Sequence, residues 1–379
     1  MKKYPIILLA LLCVLFLAKC DQVSSPDTDE VEIDGIEIQE ITHWYNGYQA
    51  AFTPTLDTGL PSLYMTEIEW LKERDMFIDI EIVSASYDIR PERVAFMRDH
   101  LLPYGFGQFG HGHAHDHHDR FDYDEAYASF RQNYLSIKSY GFNPVAYAYP
   151  YGAGRLISTR NALEDAGFLS GRLNQTVFED YGPCIMANGE SAPPDWMRLP
   201  ALRMESYDFE GCGGEECIND PQEFFSHLEP CVEQGGWLLN TYHAIGFDGE
   251  TDGRPVGWGF YRRADFYEEM ERVAELRSEG KLWLAQMEEA TLYARQRHAA
   301  EFSVERKGEK EFEISLKDGK ERDVFHMPLT LRLLVEEELL GLDAVIFDHE
   351  ENEIAVFVLE NEALVNLVPS EQGYRLVIQ

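Results

Sequence analysis

From residue 50 to about residue 297, short apolar runs alternate with amphipathic stretches. Ala50-Ala51-Phe52-Thr53 reads as a strand, and Thr66 to Arg74 as a helix with Thr66 as its cap. The run Phe77-Ile78-Asp79-Ile80-Glu81-Ile82-Val83 is β-like. Pro91 to Leu102 is helical with proline in its tolerated first turn, and Asp124 to Tyr140 is a helix stopped by Gly141. Val145 to Tyr149 is again strand-like, and Ser158 to Ala166 is a helix that ends before Gly167. Strands and helices alternating at these lengths predict βα units around a parallel sheet or barrel. Pro183 to Glu216 interrupts the rhythm with Gly, Pro and Cys, so residues 183–231 read as a Cys-rich insertion. The rhythm resumes at Trp237-Leu238-Leu239, and Asp265 to Glu279 is a long helix. Past Ala300 the pattern changes to short strand-like runs at Glu313 to Ser315, Leu329 to Leu334, Ala344 to Phe347, Ile354 to Leu359 and Tyr374 to Ile378. With no strong helix between them, these predict a small β-sandwich over residues 300–379, after an α/β unit over residues 43–299.

The first residues read as an address. Met1-Lys2-Lys3 precedes an apolar run from Ile6 to Ala18, too short for a membrane span and suited to a signal-peptide core. Leu17-Ala18-Lys19-Cys20 resembles the bacterial lipoprotein cleavage box, with Lys19 departing from the small residue usual before the cysteine. Residues 1–20 are therefore expected to direct export and anchoring in the cell envelope, with plain secretion as the alternative; residues 21–42 read as an acidic linker. The 68 Asp and Glu against 32 Lys and Arg give a net charge of −36, which excludes nucleic acid as a partner because no basic surface remains to neutralise phosphates. In an oxidising compartment Cys184, Cys212, Cys217 and Cys231 suggest two disulfides with three possible connectivities.

Candidate chemistry concentrates in Gly110-His111-Gly112-His113-Ala114-His115-Asp116-His117-His118-Asp119, where five of the twelve histidines fall. Neutral imidazole is a common ligand for zinc and its neighbours, and alternation along an extended chain would point His111, His113 and His115 the same way. Thr55-Leu56-Asp57-Thr58-Gly59 closes the first predicted strand, and Tyr149-Pro150-Tyr151-Gly152 closes a later one. In a βα barrel, strand ends are where chemistry sits. A carboxylate, a histidine pair and a Pro-Tyr-Gly turn at such ends point to a metal-assisted hydrolase.

These segments together resemble the polysaccharide deacetylase (NodB-like) family, the fourth family of carbohydrate esterases, over residues 51–297. The resemblance implies a distorted (β/α) barrel that removes acetyl groups from sugars with a bound divalent metal, zinc being the first choice. Thr55-Leu56-Asp57-Thr58-Gly59 is similar to the family's Thr-Phe-Asp-Asp-Gly, which assigns Asp57 as general base. Thr58 stands where the family has a metal-ligating Asp. The His-x3-His ligand pair falls on His111/His115 or on His113/His117; His111 and His115 are preferred, because Asp122 caps the following helix at the expected distance. His113, with His118, is a candidate for the missing carboxylate's role. Pro150-Tyr151-Gly152 assigns the Tyr151 N–H to the oxyanion, although Ala148 replaces the arginine often found two residues before the proline. Asn240-Thr241-Tyr242-His243 resembles the strand that carries the general acid, His243. Trp237, Trp258 and Tyr261 are candidate stacking platforms for an N-acetylated glycan. A rival reading is a catalytically decayed barrel serving as a carbohydrate-binding envelope lipoprotein; Thr58 favours it, while Asp57, Tyr151 and His243 oppose it.

Overall fold

Strands buried on both faces need apolar side chains on both, and the run Ala50-Ala51-Phe52 supplies them. The computed structural model describes residues 35–57, 65–174, 184–206, 217–246 and 259–379. The predicted cleavage box, most of the predicted linker, Thr58, Cys212 and Trp258 lie outside the described residues. Among the described residues, no helix is long and apolar enough to cross a membrane.

β1 (Ile36–Ile41) opens the described chain and β2 (Ala50–Leu56) follows. Next come α1 (Met65–Lys72), β3 (Asp79–Ile82), α2 (Ser84–Asp88), α3 (Pro91–Phe96) and β4 (Gln108–Gly110). The series continues with α4 (Tyr123–Ser139), β5 (Ala146–Ala148), α5 (Ile157–Asp165), β6 (Ser170–Arg172) and β7 (Leu202–Met204). It closes with α6 (Pro221–Glu233), β8 (Trp237–Tyr242), β9 (Ala244–Gly246), β10 (Phe260–Arg262), α7 (Arg263–Ser278), β11 (Leu282–Leu284) and α8 (Met287–Ala299). One sheet runs β6-β5-β4-β3-β2-β8-β7, and β11 lies beside the N-terminal half of β2. Every pairing in it is parallel, so all strand ends that carry candidate chemistry emerge on one face. This is the expected α/β architecture, a curled parallel sheet with helices as crossovers.

Helix starts follow local chemistry. Asp122 caps α4 in a full capping box, its side chain accepting from Glu125 N at 2.9 Å while Glu125 reaches back to Asp122 N. α1 starts at Met65, so Thr66 lies inside its first turn and is not the cap expected from the sequence.

The second unit comprises β12 (Glu301–Gly308), β13 (Glu311–Lys317), β14 (Leu329–Val335), β15 (Asp343–Phe347), β16 (Glu353–Val358), β17 (Glu362–Leu367) and β18 (Ser370–Ile378). They form two antiparallel sheets, β1-β14-β17 and β12-β13-β18-β15-β16. One strand of this unit comes from the other end of the chain. Residues 36–41, expected in an acidic linker, form β1 because Ile36 and Ile38 alternate with polar residues and bury one face against β14. β12 escaped the sequence reading because seven of its eight residues are exposed and show no alternation. The two units share one hydrophobic core through Trp44, Trp283 and Tyr293, and the Tyr293 hydroxyl donates to Thr42 O at 2.9 Å.

The cysteines divide differently from the expectation of two disulfides. Cys217 is disulfide-bonded. Cys184 and Cys231 are instead buried free thiols in hydrogen-bond contact, and burial, then the Cys184 contact, pushes the Cys231 thiol well up.

Candidate active site

Asp57 follows directly on β2, and its backbone N–H donates to Tyr242 O at 2.8 Å, continuing the ladder to the end of β8. That register sets Asp57 beside His243, the residue after β8. On the other side His111 follows β4, its N–H donating to Ile82 O at 3.0 Å. Parallel pairing thus brings three strand ends together. Asp57 Oδ1 lies 2.9 Å from His111 Nε2, and Oδ2 lies 3.2 Å from His243 Nε2. All three residues are buried.

Each histidine is backed by a carboxylate paired with arginine. His111 Nδ1 is 3.0 Å from Glu81 Oε2 in β3 and also donates to Ala148 O at 3.0 Å. Glu81 is in turn paired with Arg172, the last residue of β6, and Arg172 donates to Thr241 Oγ1 at 2.9 Å. On the opposite side His243 Nδ1 is 3.5 Å from Glu205 Oε1, which accepts from Arg203 Nε at 2.7 Å. The sequence reading did not find Glu81, Arg172 or Glu205. A signal existed for Glu81: an acid inside a strand run rich in isoleucine either faces solvent or meets a buried donor or cation.

His115 completes the cluster. One donor atom each from Asp57, His111 and His115 lie within 4.8 Å of one another. Its ring centroid is 4.8 Å from that of His111 and 4.9 Å from that of Tyr151. Burial, then the neighbouring His111, lowers the His115 pKa, which favours the neutral imidazole that can donate a lone pair. His111 Nε2 is buried and, among the described residues, makes no hydrogen bond of good geometry. Two imidazoles and a carboxylate with an unsatisfied buried nitrogen among them suit a divalent cation such as zinc.

His113 does not join them. Its Nδ1 meets Ser84 Oγ at 2.9 Å and its Nε2 meets Gln132 Nε2 at 3.0 Å. The expectation that His111, His113 and His115 point one way required an extended chain, and the chain is not extended here: Gly112 has φ +81° and His115 φ +60°. His118 is likewise structural, stacked on Phe130 at 4.2 Å with Nε2 on Ser129 Oγ at 3.0 Å; burial first lowers its pKa to about 3. These two residues fasten the loop to α4. His117 stacks on the Tyr151 ring at 5.6 Å.

Tyr151 sits at φ +59° in the turn after β5, with its side chain 62% exposed at the rim beside His115. Two of the proposed stacking platforms are corrected. Trp237 is fully buried with its Nε1 donating to Thr53 Oγ1 at 3.0 Å, because a strand central to a two-sided sheet offers no exposed face. Tyr261 is buried against α7, where its hydroxyl donates to Glu269; the Tyr242 hydroxyl donates to the same carboxylate at 2.6 Å.

Burial pushes the Glu269 carboxyl from 4.5 up to about 8. A carboxyl with a folded pKa above its unfolded value leaves stability intact below about pH 4.5 and subtracts from it as pH rises toward 8. Glu269→Gln is expected to flatten that slope, so that its stability relative to the parent rises between pH 5 and pH 8. Denaturant unfolding at pH 5 and pH 8 checks it; equal slopes in variant and parent contradict the assignment.

Gly259 packs on the back of His243. It has φ +73°, and a Cβ there would lie 2.7 Å from His243 Cβ. Gly259→Ala is expected to cost roughly 1–3 kcal/mol and to displace His243, read by thermal melting together with turnover. A variant with parental melting and turnover contradicts this.

Neither protein-family models nor curated proteins match the sequence. Solved structures do. The chain is similar to a protein from Mycobacterium smegmatis described as a polysaccharide deacetylase, at 16% identity and TM-score 0.45, over 68% of this chain and 95% of that one. It is similar to the peptidoglycan deacetylase PdaC from Bacillus subtilis at 13% identity and TM-score 0.38, over 66% and 93% of the two chains. A CE4 family pseudoenzyme from Bacillus anthracis matches at 9% identity and TM-score 0.38, over 65% of this chain and 66% of that one.

Proposed function

We propose that this protein is a metal-dependent hydrolase that removes N- or O-linked acetyl groups from a polysaccharide or cell-wall glycan, working as an exported envelope lipoprotein. The observation that carries the reading is Asp57 held between two buried histidines at the C-terminal face of a parallel sheet, with His115 completing a three-donor cluster. His111 and His115 would hold the ion. When bound, a divalent cation supplies Lewis-acid polarisation of the acetyl carbonyl and of the attacking water.

The chain's own residues do the rest. Asp57 accepts the proton that water loses, and His243, against Asp57 Oδ2, delivers a proton to the leaving group. The Glu205–Arg203 pair behind His243 holds its ring toward Asp57. The Tyr151 N–H, in a turn next to His115, is assigned to the oxyanion. The exposed Tyr151 ring offers a sugar an aromatic edge at the rim.

A second reading is favoured by the position of Asp57 inside the donor triangle: Asp57 itself is the anionic ligand that Thr58 cannot be. The deciding measurement is acetate release from chitin oligomers, peptidoglycan and acetylated xylan, with metal content determined on the same samples. Release that disappears on chelation and returns with zinc supports the hydrolase. Glycan binding without release on any of the three overturns it in favour of the binding protein.

A further inference from the structure

We propose that Glu81, held by Arg172, is a positioning residue that sets how tightly His111 binds the metal; this rests on the metal-dependent reading above. Glu81 is completely buried in β3, and so is Arg172 at the end of β6, ninety-one residues away. An ion pair in such a place is a poor stabiliser, because removing both charges from water costs about what their attraction returns. A hydrophobic pair of similar volume would fill the barrel interior equally well. The placement of Glu81 points to a different purpose. Its Oε2 lies 3.0 Å from His111 Nδ1, close enough for its charge to act on the ring, and among the described residues has no partner in good hydrogen-bond geometry. The Nδ1 proton is donated to Ala148 O at 3.0 Å, so this nitrogen carries the hydrogen and Nε2 is left as the donor that faces Asp57. Two oxygens approach this N–H, the Ala148 carbonyl as its acceptor and the Glu81 carboxylate as a neighbouring charge. The carbonyl fixes the tautomer, and the carboxylate beside it adds negative charge that makes the ring a stronger donor. Thr55 Oγ1, 3.3 Å from Glu81 Oε1, and Arg172 hold the carboxylate in place.

The test uses the full chain and two readouts besides turnover: zinc affinity by competition with a chromophoric chelator, and the visible absorption of the cobalt-loaded protein. Glu81→Gln is expected to weaken zinc by about 10–100-fold and to shift the cobalt bands, with partial recovery in Glu81→Asp. Because Glu81→Gln leaves Arg172 buried without its partner, the double variant Glu81→Gln/Arg172→Met serves as the control for folding. It is expected to melt in the metal-free state no lower than Glu81→Gln alone, and still to bind zinc more weakly than the parent. Parental zinc affinity and cobalt spectrum in the double variant would overturn the proposal and leave Glu81 as the counter-ion of Arg172. A parent that binds no stoichiometric metal would overturn the hydrolase reading itself, and this assignment with it.

Discussion

Asp57→Asn is expected to lower acetate release by about 10²–10⁴-fold, the usual worth of a positioned general base. Burial alone would raise the Asp57 carboxyl, but His111 first and then His243 outweigh it and hold the group well below the usual carboxylate range. Asn is nearly isosteric, so the contacts with His111 and His243 can be kept while the proton acceptor is lost. Metal content then separates the two readings of the residue. With Asp57 as base alone, the variant keeps its ion. With Asp57 as third ligand, ion and turnover go together, because a coordinating anion has become a weak neutral donor. Parental turnover in Asp57→Asn would sink the deacetylase mechanism.

His111→Ala is expected to abolish stoichiometric metal binding and turnover, and His115→Ala to do the same. The neighbouring variant His113→Ala should retain the metal, since both its ring nitrogens are engaged by Ser84 and Gln132 away from the cluster. Its cost should appear in stability, about 1–3 kcal/mol, as the buried Ser84 hydroxyl loses a hydrogen-bond partner. Elemental analysis and thermal melting on the three variants measure both effects. Loss of metal in His113→Ala with retention in His111→Ala would show that the donor pair is His113/His117 and that this loop is arranged differently.

Much of the architecture was legible because periodicity is a local property. The switch from apolar runs to helical spacing placed β3, α4, β5 and α7 to within a few residues. Parallel order then implied that Asp57, Tyr151 and His243, each just past a strand end, would share a face. The cap at Asp122 was a local signal, and it became a ground for preferring His111 and His115 only through the spacing that the family resemblance implies. What stayed hidden depends on contacts that sequence spacing does not encode. The run Phe77 to Val83, read only as β-like, holds two buried acids: Asp79, which accepts from Met287 N at 2.6 Å, and Glu81, whose counter-ion arrives from β6. Period two reports which residues share a face of a strand, not whether that face meets water or an arginine. Trp237 and Tyr261 were misread for the same reason, since an aromatic ring suits a core as well as a groove. β1 looked like tether because its partner, β14, lies almost three hundred residues away. The succession of elements and the residues at their ends follow from local pattern. Which way the histidine loop turns, through positive φ at Gly112 and His115, and which distant charges meet behind Asp57 come from the folded chain, because side-chain direction and long-range pairing do not exist before it.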